Sequence, residues 1–129
     1  MEETKGRILG IGGVFFKSDH PTDLNMWYEH HLGLLRNEYH TVVFPWRAAD
    51  EDRKHLTTFS IFPRASKYYE GGFMINFIVD DLDALLTRLE SEGVRIDPKR
   101  EADPTIGRFA WIYDADGNRI ELWQPAVKP

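Results

Sequence analysis

The sequence predicts an α+β fold built from two tandem βαβββ modules. Three observations carry that expectation. First, a pattern recurs. Gly13-Val14-Phe15-Phe16-Lys17-Ser18 leads into a helix-like run ending at Leu32-Gly33-Leu34, and Met74-Ile75-Asn76-Phe77-Ile78-Val79 leads into one ending at Glu92-Gly93-Val94. The offset, about 60 residues, is too long for a solenoid repeat and fits two fused half-domains that leave a cleft where they meet. Second, each recurrence switches from strand-like alternation to helical spacing. Third, the chain closes on Asp114-Ala115-Asp116-Gly117-Asn118 between two apolar stretches, a strong hairpin signal because Gly and Asn tolerate positive φ.

Taken in order, Ile8 to Lys17 reads as a strand, with Gly12 and Gly13 admitting close backbone approach. Ser18 to Thr22 is a turn and helix start. Asp23 to Leu32 is a helix, with Leu24, Trp27, Tyr28, His31 and Leu32 on one face and Gly33 as its left-handed cap. Strands are expected at Leu35–Glu38, His40–Trp46 and Leu56–Phe62, with a polar exposed connection over Ala48 to Lys54. Pro63 to Gly72 lacks periodicity and reads as the linker. Phe73 to Val79 is the next strand, and Asp80 occupies the expected N-cap position. Leu82, Leu85, Leu86 and Leu89 form the apolar stripe of a helix ended by Gly93. A short strand at Val94–Ile96, a loop to Gly107, and the hairpin of Arg108–Tyr113 with Arg119–Gln124 complete the chain. The expected organisation is a single domain over 1–129, with module one at about 8–63, a linker at 64–72 and module two at about 73–125.

Composition narrows the function classes. The chain has 129 residues, 42% hydrophobic and 13% aromatic, enough for a real core. Its net charge is -5 and it carries no long basic patch, which argues against nucleic-acid and anionic-membrane partners. It contains no cysteine, so disulfides, thiolate catalysis and zinc–thiolate sites are excluded. No apolar run approaches the roughly 20 residues of a membrane helix, and Met-Glu-Glu-Thr-Lys does not begin a signal peptide. The expected location is cytoplasmic.

The doubled βαβββ order, the junction Val79-Asp80-Asp81-Leu82-Asp83 and the ending Asp114-x-Asp116-Gly117-Asn118-x-Ile120-Glu121-Leu122-x-Gln124 resemble the vicinal oxygen chelate superfamily. That group includes glyoxalase I, extradiol dioxygenases, fosfomycin-resistance enzymes and bleomycin-binding proteins. The resemblance covers about Ile8 to Pro125 and is most specific at the terminal hairpin. It implies that each module curls into half of an open cup, and that metal-dependent members place ligands on the first and last strands of each half. Those positions fall here at Gly13, Phe59, Met74 and Glu121. Glycine offers no side chain, phenylalanine no lone pair, and a thioether suits soft metals. One carboxylate does not make a metal site, so no metal and no cofactor is expected.

Strand alternation assigns the rest of the cup. If Gly13, Met74 and Glu121 face inward, so do Ile11, Phe15, Asn76, Ile78, Arg119 and Trp123, while Val14, Phe16, Ile75, Phe77, Val79, Ile120 and Leu122 pack beneath the helices. Phe59 joins the inward set when Thr58–Pro63 is aligned with Ile120–Pro125, and Trp111 on the neighbouring strand joins as well. Phe15, Phe59, Met74, Asn76, Trp111 and Trp123 are therefore the expected ligand-binding residues of an aromatic cup suited to a flat organic molecule. The acidic net charge suits a cationic one.

Glu121 is the candidate catalytic group, a general base without metal, set against a structural pairing with Arg119 or Arg108. His30 and His31 are adjacent on a helix, point about 100° apart and cannot chelate together; His31 is expected at the helix–sheet boundary and His30 in solvent. His40 and His55 are candidates for the pocket mouth. Asp80-Asp81-Leu82-Asp83 lacks calcium-loop spacing, and Gly10, Gly12 and Gly13 lack nucleotide-loop spacing. The expected function is therefore a metal-independent small-molecule-binding protein, with a lyase or isomerase using Glu121 as the alternative. Trp46, Tyr68 and Tyr69, read as exposed aromatics, predict a homodimer.

Overall fold

The computed structural model describes residues 6–47 and 54–126. The connection expected over Ala48 to Lys54 lies, apart from Lys54, outside the described residues, as does the Met-Glu-Glu-Thr-Lys start. The element order is β1 (Ile8–Ser18), α1 (Pro21–Leu32), β2 (Val42–Arg47), β3 (Lys54–Pro63), β4 (Phe73–Val79), α2 (Leu82–Ser91), β5 (Ile96–Asp103), β6 (Gly107–Tyr113) and β7 (Arg119–Pro125). The fold is α+β, as expected. Two compact units emerge. The first is Gly12–Ile75, and the second joins the chain up to Ile11 with the chain from Asn76 onward. Among the described residues, no helix is long and apolar enough to cross a membrane.

In the first unit the strands run β2-β3-β1. β1 pairs with β3 in parallel, Val14 opposite Phe59 and Phe15 opposite Ser60, and β2 pairs antiparallel with β3, Val42 opposite Phe59. Partners in register share a face of the sheet. Phe59 therefore lies with Val14 and Phe16, and its ring meets Phe16 at 5.5 Å and Tyr28 of α1 at 5.3 Å. The inward assignment of Phe59 is corrected by one residue. Matching Pro63 to Pro125 misplaced the register, and Ser60 is the residue that shares the face of Phe15.

Helix α1 starts with Pro21 in its first turn, where a missing N–H costs nothing. It ends at Gly33 (φ 68), whose N–H donates to the Glu29 carbonyl. The expected apolar face holds only in part. Tyr28 packs inward, but Trp27 and Leu32 are at least half exposed, and Asn25 is the buried residue of the helix. His31 is exposed too and rests against Trp27 at 4.9 Å instead of at a helix–sheet boundary.

No strand forms at Leu35–Glu38. The Asn37 side-chain oxygen accepts from the N–H groups of Tyr39 and Thr41, and His40 takes a left-handed conformation (φ 63). Those side-chain bonds offer the backbone a turn in place of a ladder, while Arg36 ties the segment back to Glu29 of α1.

In the second unit the order is β4-β7-β6-β5. Its core is Val79, Leu82, Leu85, Ala110 and Leu122, with Phe77, Leu86, Leu89, Ile112 and Ile120 packed against it. Phe77, Val79, Ile120, Leu122 and the four α2 leucines are the helix-facing residues read from the sequence; Ala110 and Ile112 of β6 join them. Each fully buried leucine contributes roughly 2 kcal/mol. The α2 N-cap is Asp81, which accepts from the Ala84 N–H at 3.0 Å; Asp80, the expected cap, instead accepts from the backbone and side chain of Arg7.

The expected short strand and loop after α2 are replaced by β5, which pairs antiparallel with β6 across a bulge between Ile96 and Arg100. The hairpin of β6 and β7 forms as expected. Its turn is clamped by the Asp114 carboxyl, which accepts from Asp116, from the Asn118 N–H and from the Asn118 amide, with Gly117 at φ 85.

Candidate functional site

The hairpin register sets Trp111 opposite Glu121, Phe109 opposite Trp123 and Tyr113 opposite Arg119. These six side chains share one face. Ala110, Ile112, Ile120 and Leu122 take the other, against α2. A period of two thus separates a helix-packing surface from an aromatic and charged one on the same two strands.

Glu121 is 3% exposed. Its Oε1 accepts from the Asn76 amide nitrogen at 2.6 Å and its Oε2 from the Trp111 indole N–H at 3.0 Å. Neither arginine weighed as its partner is used in that way. Arg108 forms a two-pronged bond with Asp83, and Arg119 bonds Asp97. Asn76 is 2% exposed, and its amide oxygen has no hydrogen-bond partner among the described residues. An unmet buried acceptor costs about 1–3 kcal/mol. That oxygen lies beside a buried carboxyl.

An aromatic wall adjoins it. The rings of Phe109 and Trp123 are parallel within 5° at 5.9 Å, and Phe109 stacks on Trp111 at 6.4 Å. Phe109 and Trp123 keep part of their surface open, whereas Trp111 is fully buried. Lys99 and Arg119 lie over the Trp111 ring at 5.0 and 5.2 Å. Arg119 is fixed by the Asp97 carboxyl and the Tyr113 hydroxyl, each at 3.0 Å. The Lys99 backbone N–H, then the Tyr113 hydroxyl and Arg119, hold the Asp97 carboxyl below its usual range, against a smaller opposing effect of burial.

The expected pocket residues divide between the units. Asn76, Trp111, Glu121 and Trp123 belong to the second and come together as described. Phe15, Phe59 and Met74 belong to the first. Met74 is fully buried, and Phe15 is nearly so, edge-on to Phe62 at 5.6 Å. A side chain at Gly13 would collide with the Phe15 ring and the Thr58 hydroxyl. His55 is buried beside Trp46 at 5.0 Å, while His40 is exposed in its turn. Tyr69 is buried and Trp46 half-buried, with its indole N–H on Thr57 at 2.6 Å. Of the three aromatics read as exposed, only Tyr68 is.

The four positions that the resemblance implies for metal ligands hold glycine, phenylalanine, methionine and a single carboxylate. Glu121 is the one carboxylate of the four, a side chain at Gly13 would collide with its neighbours, and the Phe59 ring meets Tyr28 of α1. Among the described residues, no three His, Cys, Asp or Glu side chains stand close enough to hold a metal ion.

A shallow cleft of about 440 Å³, unforeseen in the sequence, opens elsewhere in the second unit, bordered by Asp103, Gly107, Arg108 and Gln124. Its polar side chains are spent on the fold. Arg108 holds Asp83, Gln124 accepts from the Leu82 N–H, and Asp103 accepts from Thr105 and Ile106. Its openness and lack of free polar groups set it apart from the Glu121 cluster.

The family model of the Glyoxalase/Bleomycin resistance protein/Dioxygenase superfamily matches residues 19–122, and the chain belongs to that superfamily. Solved structures share the fold. A methylmalonyl-CoA epimerase from Mycobacterium tuberculosis is 23% identical, with a TM-score of 0.60 over 98% of this chain and 94% of its own. A methylmalonyl-CoA epimerase from Streptomyces coelicolor, in complex with 2-nitronate-propionyl-CoA, is 15% identical, with a TM-score of 0.67 over 94% of this chain and all of its own. A further structure is a methylmalonyl-CoA epimerase in complex with methylmalonyl-CoA and NH4+, also 15% identical, with a TM-score of 0.67 over 94% of this chain and 97% of its own. No curated protein matches the chain in sequence.

Proposed function

We propose that this chain is a small-molecule-binding member of the superfamily that works without a divalent metal. The observation that carries the reading is the unpartnered Asn76 amide oxygen beside the buried Glu121 carboxyl. Two acceptors side by side suit an N–H or O–H of an organic ligand. The parallel Phe109 and Trp123 rings next to them suit its flat part. Glu121 sets direction, and the rings supply most of the affinity. The domain acts as one vicinal oxygen chelate unit of two modules, about 8–63 and 73–125. It is read as a cytoplasmic homodimer, with the open surfaces of Trp27, Leu32 and Tyr68 in support of pairing.

A second reading has its own support in the methylmalonyl-CoA epimerases that share the fold. In it, Glu121 takes a proton from carbon next to a carbonyl, with Asn76 orienting the substrate. One experiment separates the two. Purified protein is titrated with bleomycin and with methylmalonyl-CoA, following tryptophan emission, and incubated with the thioester in heavy water. Saturable binding that weakens about tenfold in Glu121→Gln, with no deuterium taken up, is the expected result. Deuterium uptake abolished by the same substitution favours the lyase or isomerase reading. Neither binding nor uptake overturns both.

A further inference from the structure

The first unit carries a cation with no counter-charge among the described residues. Lys17, on the face of β1 that also bears Phe15, donates to the Tyr69 carbonyl at 2.6 Å, and its ammonium lies 4.7 Å from the centre of the Tyr69 ring. Among the described residues, no carboxylate pairs with it. An ammonium has three donors, so a carbonyl and a ring face leave it partly unsatisfied in a half-buried setting. The Tyr69 hydroxyl repeats the pattern. Tyr69 is 2% exposed, and its hydroxyl has no hydrogen-bond partner among the described residues. Burial pushes its pKa up to about 12, so it remains a donor at neutral pH.

Rings surround these two groups. Phe62 stacks on Tyr68 at 5.9 Å with planes 12° apart, and it takes the edges of Phe15 and Tyr69 at 5.6 and 5.4 Å. Phe62 and Tyr68 keep part of their surface open. The grouping arises from register and turn chemistry. β1–β3 pairing sets Lys17 beside Phe62, and the Lys17 backbone N–H bonds the Gly72 carbonyl, which draws the Tyr68–Tyr69 segment against the strand.

We propose that Lys17 and Tyr69, with the Phe62–Tyr68 stack, form a binding site for a flat aromatic carboxylate. The ammonium neutralises the carboxylate, the phenol hydroxyl donates to it, and the ring lies along Phe62 and Tyr68. One cation and one neutral donor match a single negative charge with two oxygens. A phosphate ester would bring nearly two charges and three acceptor oxygens, more than this grouping supplies. The site lies in the first unit and uses none of the groups assigned to ligand binding at Glu121, so the two stand or fall separately.

Isothermal titration with 2-naphthoate, 2-naphthylmethanol and 2-naphthylmethylamine tests the assignment, because the three share a ring and differ in charge. The naphthoate is expected to bind at least tenfold more tightly than the alcohol, and the amine weakest. Lys17→Met is expected to weaken naphthoate about tenfold, the size of a lost charge-assisted hydrogen bond, and to leave the alcohol unchanged. Lys17→Arg retains most of the affinity, and Tyr69→Phe loses severalfold. Circular dichroism verifies that each variant is folded. Equal affinity for naphthoate and alcohol overturns the proposal, as do equal losses in Lys17→Arg and Lys17→Met. Naphthoate binding that survives Lys17→Met but is lost in Glu121→Gln places the acid in the second unit and also overturns it.

Discussion

In the second unit, the Glu121 carboxyl is gripped from two sides by Asn76 and Trp111. In the first, the offset that relates Asn76 to Phe15 relates Glu121 to Ser60, whose hydroxyl shares a hydrogen bond with the Thr41 hydroxyl at 3.2 Å. The helix-facing positions have stayed alike: Val14 and Phe16 in one unit, Ile75 and Phe77 in the chain's second pattern. A repeated strand must keep one face apolar to hold its helix, whereas its other face is free to change chemistry. That other face has become a polar cluster in one unit and an aromatic cluster with an amine in the other. The helices differ in the same sense. α2 has a capped start and a leucine stripe in the core; α1 has neither a side-chain cap nor a fully apolar buried face.

The sharpest way to break this comparison is to remove the carboxyl from one unit and the hydroxyl from the other. Glu121→Ala strands two buried donors, and the expected loss in urea unfolding is about 4 kcal/mol. Ser60→Ala removes one hydroxyl contact in a partly buried place, and the expected loss is below about 1 kcal/mol. Equal losses would mean that the two faces carry the same structural weight after all.

A smaller contrast lies at the helix starts. Asp81→Ala removes the acceptor for the Ala84 N–H, an expected cost of about 1 kcal/mol. His20 holds the equivalent place in α1 and makes no side-chain cap. His20→Ala is therefore expected to leave the urea midpoint unmoved. A destabilisation as large as that of Asp81→Ala would reveal a role for His20 beyond capping.

The smallest effect per group is acid sensitivity. In the second unit, Asp80, Asp83, Asp97 and Asp114 all hold lowered pKa values. For Asp80 burial opposes the shift and the Arg7 bonds outweigh it; for Asp83 the cause is Arg108, for Asp97 the Lys99 N–H, and for Asp114 Asn118. In the first unit, Glu29, bonded by Arg36, is the described residue with such a shift. A depressed carboxyl contributes stability above its unfolded pKa of about 4 and loses it as pH falls through the folded value. Amide hydrogen exchange followed from pH 7 down to pH 3 is expected to lose protection first in β5–β7. Simultaneous loss in β2 and β3 would erase the distinction.

Much of the fold was legible because its signals are local. The Asp-Ala-Asp-Gly-Asn turn, the α2 leucines and Gly33 each act on neighbours a few residues away, and each did what its chemistry implies. The misreadings come from choices made at a distance. Asp80 and Asp81 are equivalent caps until Arg7, remote in sequence, claims the first. Tyr68 and Tyr69 read alike, yet one is open and the other closed over by Lys17 and Phe62. Phe59 was misplaced because a shared proline suggested a register that the ladder does not keep, and one residue of slip reverses a strand's faces. Within the candidate site, alternation and the repeat put Asn76, Glu121 and Trp123 on one face. The Trp111 indole was read as a lining group, and its bond to Glu121 depends on side-chain direction, which no pattern of letters records.

Trp111 also makes the second unit self-reporting. Its indole is sealed from water and donates to a carboxyl, whereas Trp27 in the first unit is half exposed. Two such rings emit at different colours, the sealed one to the blue and the wet one to the red. With Trp46 and Trp123 replaced by phenylalanine, the two rings that remain would report one on each half of the chain, and a change confined to one half would be written in the spectrum.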